Sequence, residues 1–327
     1  MDKQYGDLNN ERVQFIRIVD YTQNTDDIRY IDKSLANNLI SKNDVVIVRY
    51  GATAGFVGRG ITGVLANNMF NVNPEKLLTK EYLYTYLKQE KIYKKLNGSN
   101  GSSAMPALNF GTVKDVEIAY PTNNEQLKIE VLFNNLDNLI TLHQRKCDKL
   151  INIKKSMLEK MFPKNSSNIP EIRFKGFTDV WEQRKLGEKY KFQYGEYNNN
   201  PDNGGIYPIY GANGIIGGYT KFNAEDSIII GHMGEYAGSV LWGEGKHFVT
   251  YNGTISSPKD TSINSKFGYY MLLHKNINKI CGGSGLPFLS YEQLNKIDVD
   301  YPLEKEEQNK ISILFKNIDN LITLHQH

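Results

Sequence analysis

NNLDNLITLHQ at residues 134–144 returns as KNIDNLITLHQ at residues 316–326, an offset of 182 residues (326 − 144). That spacing is too long for a solenoid repeat and fits one domain plus a connector, so the chain reads as two copies of one module. The likeness extends upstream. KDVEIAYP (114–121) matches NKIDVDYP (295–302), each a short alternating strand closed by Tyr-Pro. MPALNF (105–110) matches LPFLSY (286–291), both after Gly/Ser-rich stretches. NDVVIVRYGATAG (43–55) matches EDSIIIGHMGEYAG (225–238) with one residue inserted. Each module is a variable globular part followed by a nearly constant helix. The helix has one job in both copies, while the globular parts have related but different jobs.

The first helix is expected from residue 124 to residue 162. Thr122 and Glu125 stand at capping-box spacing, and Pro163 ends the run. Ile129, Leu136, His143, Leu150 and Met157 recur every seven residues, and Leu132, Leu139 and Ile153 follow members of that series by three. This is a heptad seam. Some ~39 residues at ~1.5 Å each make a rod of ~58 Å, too long to bury its stripe against one small domain. Its natural partner is the second helix, where Ile311, Leu314, Phe315, Ile318, Leu321 and Ile322 repeat the pattern. The candidate pairing and docking positions are therefore Ile129, Leu132, Leu136, Leu139 and Leu150 with Ile311, Leu314, Ile318 and Leu321.

The fold expected is α+β: two pseudo-twofold-related globular domains, each followed by a long helix, the helices paired as an antiparallel coiled coil. The divisions are 1–122 (first globular domain), 123–163 (first helix), 164–302 (connector and second globular domain) and 303–327 (second helix). Shorter helices are expected at 80–95 and near 266–278. The copies are unequal. Two periods of 182 would need 364 residues, 37 more than the 327 present, and the difference corresponds to about residues 145–181 of the complete junction. A naturally shortened chain and a fragment are both expectations consistent with this. A pseudo-twofold protein suits a roughly twofold target such as duplex DNA.

Apolar residues make up 40% of the chain, enough for true cores. The net charge of +3 permits a nucleic-acid partner without demanding one. The two cysteines, Cys147 and Cys281, lie in no motif, which fits a reduced, cytoplasmic protein. No apolar run approaches the ~20 residues of a membrane span. The polar start MDKQYGDLNNER does not resemble a signal peptide.

Catalytic signatures are missing. There is no phosphate-binding Gly-x-x-x-x-Gly-Lys, no Asn/Asp-Pro-Pro-aromatic tetrapeptide for holding a target amine, and no His or Cys pairing at zinc-ligand spacing. One nuclease-like pattern exists, Asp226 with Glu244 and Lys246; the competing reading is a surface hairpin turn, GEGK. DNA-reading chemistry has more to stand on. Asn and Arg make bidentate contacts to base edges, and Tyr and Ser bind phosphate and sugar. The Gly-rich turns after DVVIVRY and DSIIIGH would set polar side chains on a rigid lip, although glycine is also what a plain turn needs. The candidates for DNA contact are Arg49, Tyr50, Thr53, Arg59, Asn100 and Ser102 in the first module. In the second they are Tyr197, Asn199, Asn213, His232, Glu235, Tyr236 and Ser284.

Together these features resemble the specificity subunit of type I restriction–modification systems. The matching segments are WEQRKLGE, NDVVIVRYGATAG, GSSAMPALNF, EDSIIIGHMGEYAG and the helices bearing LDNLITLHQRK and IDNLITLHQ. The resemblance implies a non-catalytic chain whose two target-recognition domains read the halves of a bipartite site on double-stranded DNA. It implies that the helices set the gap and dock two adenine-N6 modification subunits, and that restriction subunits join the complex. S-adenosylmethionine, ATP and magnesium would then belong to those partners, and no cofactor to this chain. A metal-dependent nuclease and a coiled-coil scaffold that binds no DNA are the rival expectations.

Overall fold

The buried run Val45–Val48 shows how the apolar sequence is spent. Val45 and Ile47 point into one apolar cluster while Val46 and Val48 point into another, as the two-residue period of a strand requires. The second copy does the same: Ile228 and Ile230 face one cluster and Ile229 faces another. The computed structural model describes residues 4–23, 25–98, 107–164, 167–197, 202–281 and 287–326. It divides into two compact units, residues 1–141 and 142–327.

The first unit runs β1 (Arg12–Ile16), α1 (Val19–Thr22), β2 (Arg29–Asp32), β3 (Leu39–Ile40), β4 (Val45–Val48), β5 (Val57–Gly58), β6 (Gly63–Leu65) and β7 (Met69–Val72). It continues through α2 (Lys80–Leu87), α3 (Glu90–Gly98) and α4 (Phe110–Lys114) into α5 (Asn123–Lys160), which passes into the second unit. A four-stranded sheet has the order β2-β1-β6-β3 and a three-stranded sheet the order β5-β4-β7. The helix expected at 80–95 is split in two at Lys88 and Gln89.

The second unit contains β8 (Glu182–Lys185), α6 (Leu186–Lys189), β9 (Tyr190–Tyr194), β10 (Tyr207–Gly211), β11 (Gly214–Tyr219), β12 (Ala224–Gly231), β13 (Val240–Val249) and β14 (Gly253–Pro258). Then follow α7 (Ser265–Lys275), α8 (Tyr291–Lys296), β15 (Asp298–Tyr301) and α9 (Lys305–Gln326). Six strands form one sheet, β11-β10-β13-β12-β14-β9, and β15 pairs with β8. The inserted residue of the second copy is absorbed by a bulge in β12, between Glu225 and Ser227, where Asp226 takes φ 41°.

Each long helix is clamped to its unit by the same glutamine. Gln126 is fully buried; its amide nitrogen donates to the carbonyls of Leu77 (2.8 Å) and Pro121 (3.0 Å), and its oxygen accepts from the Thr79 N–H (3.1 Å). Gln308, 182 residues on, donates to Ser262 (3.4 Å) and Pro302 (3.3 Å) and accepts from the Asn264 N–H (2.9 Å). These glutamines, rather than a Thr122–Glu125 box, tie down the helix starts; Thr122 contributes its backbone carbonyl.

The heptad residues divide by environment. Ile311 and Ile318 sit in the core of the second unit with Phe267, Tyr270 and Phe315, and Leu314 packs against it. The end of α5 joins that core through Met157 and Leu158, and the two residues after it, Met161 and Phe162, belong to the core as well. Contacts between the two helices run antiparallel: His143 Nδ1 lies 3.1 Å from His325 Nδ1, and Lys154 pairs with Asp319 at 2.6 Å. His143 and His325 are equivalents in the repeat, so like meets like at this contact. Leu150 and Ile129 are half-buried, whereas Leu132, Leu136, Leu139 and Leu321 are exposed. No described helix is long and apolar enough to cross a membrane.

Candidate nucleic-acid interface

Both units present a glycine-rich lip after the strand just described, and the two lips share one backbone frame. In the first, Gly51 and Gly55 take φ 89° and 88°; in the second, Gly234 and Gly238 take 81° and 77°. These left-handed conformations strain any residue with a Cβ. At Gly238 an added Cβ would also lie 2.4 Å from the Asn278 Cα. The hydrogen bonds coincide pair by pair. Gly55 N–H donates to Val48 O (2.8 Å), as Gly238 N–H does to Gly231 O (2.7 Å). Ala54 N–H donates to Gly51 O, as Ala237 N–H does to Gly234 O, both at 3.0 Å. Leu108 N–H reaches Arg49 O and Leu289 N–H reaches His232 O, both at 2.8 Å. On this common frame the side chains differ: Arg49, Tyr50, Ala52 and Thr53 in one unit stand where His232, Met233, Glu235 and Tyr236 stand in the other.

In the first lip Tyr50 is exposed and Thr53 half-exposed. The Arg49 guanidinium lies 4.7 Å from the Tyr50 ring, 5.3 Å from Phe70 and 5.7 Å from Phe110. It is an aromatic-caged cation, held in place by cation–π attraction. Phe110 is 63% exposed and was not anticipated; its only sequence signal was its place in the repeated MPALNF segment. Arg59 is engaged elsewhere, with Glu81 and over the Tyr84 ring at 4.3 Å.

In the second unit several segments are stitched together beside the lip. Ser239 Oγ donates to Ala212 O. Thr250 N–H donates to Tyr210 O (3.0 Å), Glu196 N–H to Val249 O (3.0 Å) and His232 N–H to Asn252 O (3.2 Å). The turn carrying Asn213, the segment carrying Tyr197 and the 250–252 turn are thereby joined to the Glu235–Tyr236 lip. Tyr197 (77%), Tyr236 (46%) and Tyr251 (44%) are exposed there, with Asn213 and Glu235. Tyr251 was missed in the sequence because a single tyrosine in a turn carries no pattern.

His232 departs from expectation: it is only 1% exposed. Its ring packs against Tyr194 (4.6 Å), Tyr251 (5.3 Å) and Phe288 (5.8 Å). Burial lowers its pKa below the ordinary 6.5, so the ring is a neutral support under the lip and presents no cation to a ligand. Asn100, Ser102, Asn199 and Ser284 lie outside the described residues.

Of the nuclease-like residues, Asp226 and Glu244 line one cavity of about 400 Å³, and Lys246 does not. Glu244 pairs with Lys316 (3.0 Å) and Lys266 (3.3 Å) and accepts from Trp242 Nε1 (2.6 Å), and Lys316 leads in pulling its carboxyl down to about 2. Asp226 accepts from the Gly245 N–H at 2.7 Å, capping the hairpin. Lys246 lies over the Phe222 ring at 4.7 Å. All three are used in local structure.

The family model for the type I restriction modification DNA specificity domain matches residues 1–152 and again 178–327. The MjaVIII type I restriction enzyme specificity subunit of Methanocaldococcus jannaschii is 24% identical over 336 aligned positions, covering 88% of this chain and 74% of that protein. The EcoprrI specificity subunit of Escherichia coli is 27% identical over 148 positions, 43% of this chain and 36% of the relative. The crystal structure of a type I restriction–modification S subunit from M. genitalium superposes with a TM-score of 0.62 at 22% identity, covering 90% of this chain and 80% of the other. That structural likeness speaks for the fold.

Proposed function

The chain belongs to the type I restriction–modification DNA specificity family, and from that premise we propose that its two lips read two different halves of a split DNA site. The observation that carries this reading is the pairing of one backbone frame with two side-chain sets. A common frame delivers residues to a groove in the same pose, and different side chains there select different bases. Arg49 and Tyr50 in the first lip, and Glu235, Tyr236, Asn213 and Tyr197 around the second, are the residues that would meet DNA. Arg favours guanine; Glu accepts from cytosine; Asn favours adenine. The chain has no catalytic role in this reading. Its exposed helix positions Leu132, Leu136, Leu139 and Leu321 dock modification subunits, which bring S-adenosylmethionine, and restriction subunits complete the assembly. The division into 1–122, 123–163, 164–302 and 303–327 then separates reading from spacing.

The test is selection of duplexes from a random pool by the chain assembled with its modification subunit, at moderate salt. Enrichment of a two-part motif supports the reading. Equal retention of all duplexes would contradict it, since phosphate contacts carry no sequence information.

A further inference from the structure

In the second unit α5 and α9 meet at a pair of identical side chains. His143 Nδ1 lies 3.1 Å from His325 Nδ1, with the ring centroids 5.2 Å apart and the ring planes inclined by 50°. The two histidines hold one position of the repeated helix, so the duplication supplies both from a single place in the module. Neither is enclosed: His143 is exposed and His325 half-exposed. Further along, the Lys154–Asp319 ion pair at 2.6 Å holds the same two helices in register.

Two facing ring nitrogens do not both stay bare acceptors, because lone pairs directed at one another repel. Something positive must lie between them. With one ring protonated at Nδ1 it is a proton, and the contact is a hydrogen bond. With both rings in the Nε2–H tautomer, both Nδ1 lone pairs are free to bind one metal ion. The separation suits a late first-row ion. At ~2.0–2.1 Å per metal–nitrogen bond, ligands at 90° stand ~2.9 Å apart and ligands at the tetrahedral angle ~3.3 Å apart. The observed 3.1 Å falls between these values. Imidazole suits zinc, nickel and copper, whereas magnesium and calcium take oxygen ligands.

We propose that His143 and His325 form a binding site for one zinc-class divalent ion that ties α5 to α9. Among the described residues no group of three or more His, Cys, Asp or Glu side chains converges. The chain therefore gives two ligands, and water completes the coordination sphere. Lys146 is close enough to act on His325 electrostatically and opposes the ion. A two-ligand site beside a lysine and open to solvent holds an exchangeable ion, whose occupancy follows the surrounding concentration. When bound, the ion bridges the two helices and favours the folded form by mass action. With 182 positions between its ligands, the site has no spacing that a sequence could reveal. The inference rests on this one contact and is independent of DNA reading.

Calorimetric titration of zinc into the full chain, without DNA, tests it. One ion per chain is expected, with no binding of magnesium and a melting temperature that rises with zinc. His143→Gln and His325→Gln should each weaken binding at least tenfold and abolish the rise, with melting of the metal-free chain unchanged. His327→Gln, two positions from His325, should leave binding within twofold. On the unsubstituted chain, imidazole nitrogen NMR should show two rings shifting to zinc-bound Nδ1 values. Four outcomes overturn the proposal. They are no zinc binding, binding that survives His143→Gln, loss of binding in His327→Gln (chelation by neighbouring histidines of one segment), or half an ion per chain, which would mean that two copies share it.

Discussion

Arg173 and Glu307 form the most enclosed ion pair described, with side chains 12% and 1% exposed. Removing one partner of such a pair leaves a buried charge unmatched, at a cost of roughly 3–5 kcal/mol. Arg173→Met should therefore destabilise the second unit by about that amount in denaturant unfolding, while Glu125→Ala at the equivalent exposed site should change stability by less than ~0.5 kcal/mol. Histidines give a second test. Burial holds the pKa of His232, His247 and His274 below 6.5. The unfolded chain takes up these protons more readily than the folded one. The stability they contribute is thus fully present above about pH 6.5 and is lost as pH falls below it. A melting temperature that holds steady from pH 8 to 7 and drops toward pH 5 is expected; a rise on acidification would contradict the assignment. None of this was visible in the sequence. Arg173 and Glu307 are 134 positions apart, and His232 looked like a lip residue because burial is set by Tyr194, Tyr251 and Phe288 arriving from three other segments.

Among the elements, the long helices and β4 with its counterpart β12 were legible because their signal is periodic and local. The start of α5 at Asn123 and its end at Lys160 lie within two residues of the sequence reading. The clamp was not legible: Gln126 and Gln308 look like ordinary helix-surface residues until Pro121 and Pro302 fold back over them. Gln126→Ala should leave the Leu77 and Pro121 carbonyls and the Thr79 N–H without their partner, each lost bond costing about 1 kcal/mol. A loss of about 2–3 kcal/mol confined to the first unit is the expected result by hydrogen exchange. The lips are rigid by glycine and hydrogen bonding, so their side chains are free to vary. Tyr236→Ala should leave melting unchanged within about 1 °C and alter the selected DNA sequence. Gly238→Val should instead disrupt the lip, through both the left-handed φ and the close Asn278 backbone.

At the scale of the whole molecule the heptad positions form an apolar stripe in the sequence, but their burial is not uniform. Leu139 is 53% exposed and Ile311 only 1%. Periodicity reports that a face is apolar; it does not report what covers it. Leu139→Asp should thus cost the isolated chain little and prevent assembly with a modification subunit, because a partner would have to bury the new charge. Size-exclusion chromatography of the mixed subunits separates the two effects. The central claim is that one chain carries two readers of different sequence at a fixed spacing. It is tested most directly by co-expressing the chain with its modification subunit in a host free of other adenine methylation and mapping modified adenines across the genome. The account predicts a split motif with two dissimilar halves and one constant gap. A single palindromic motif, or methylation without sequence preference from an intact complex, would contradict it.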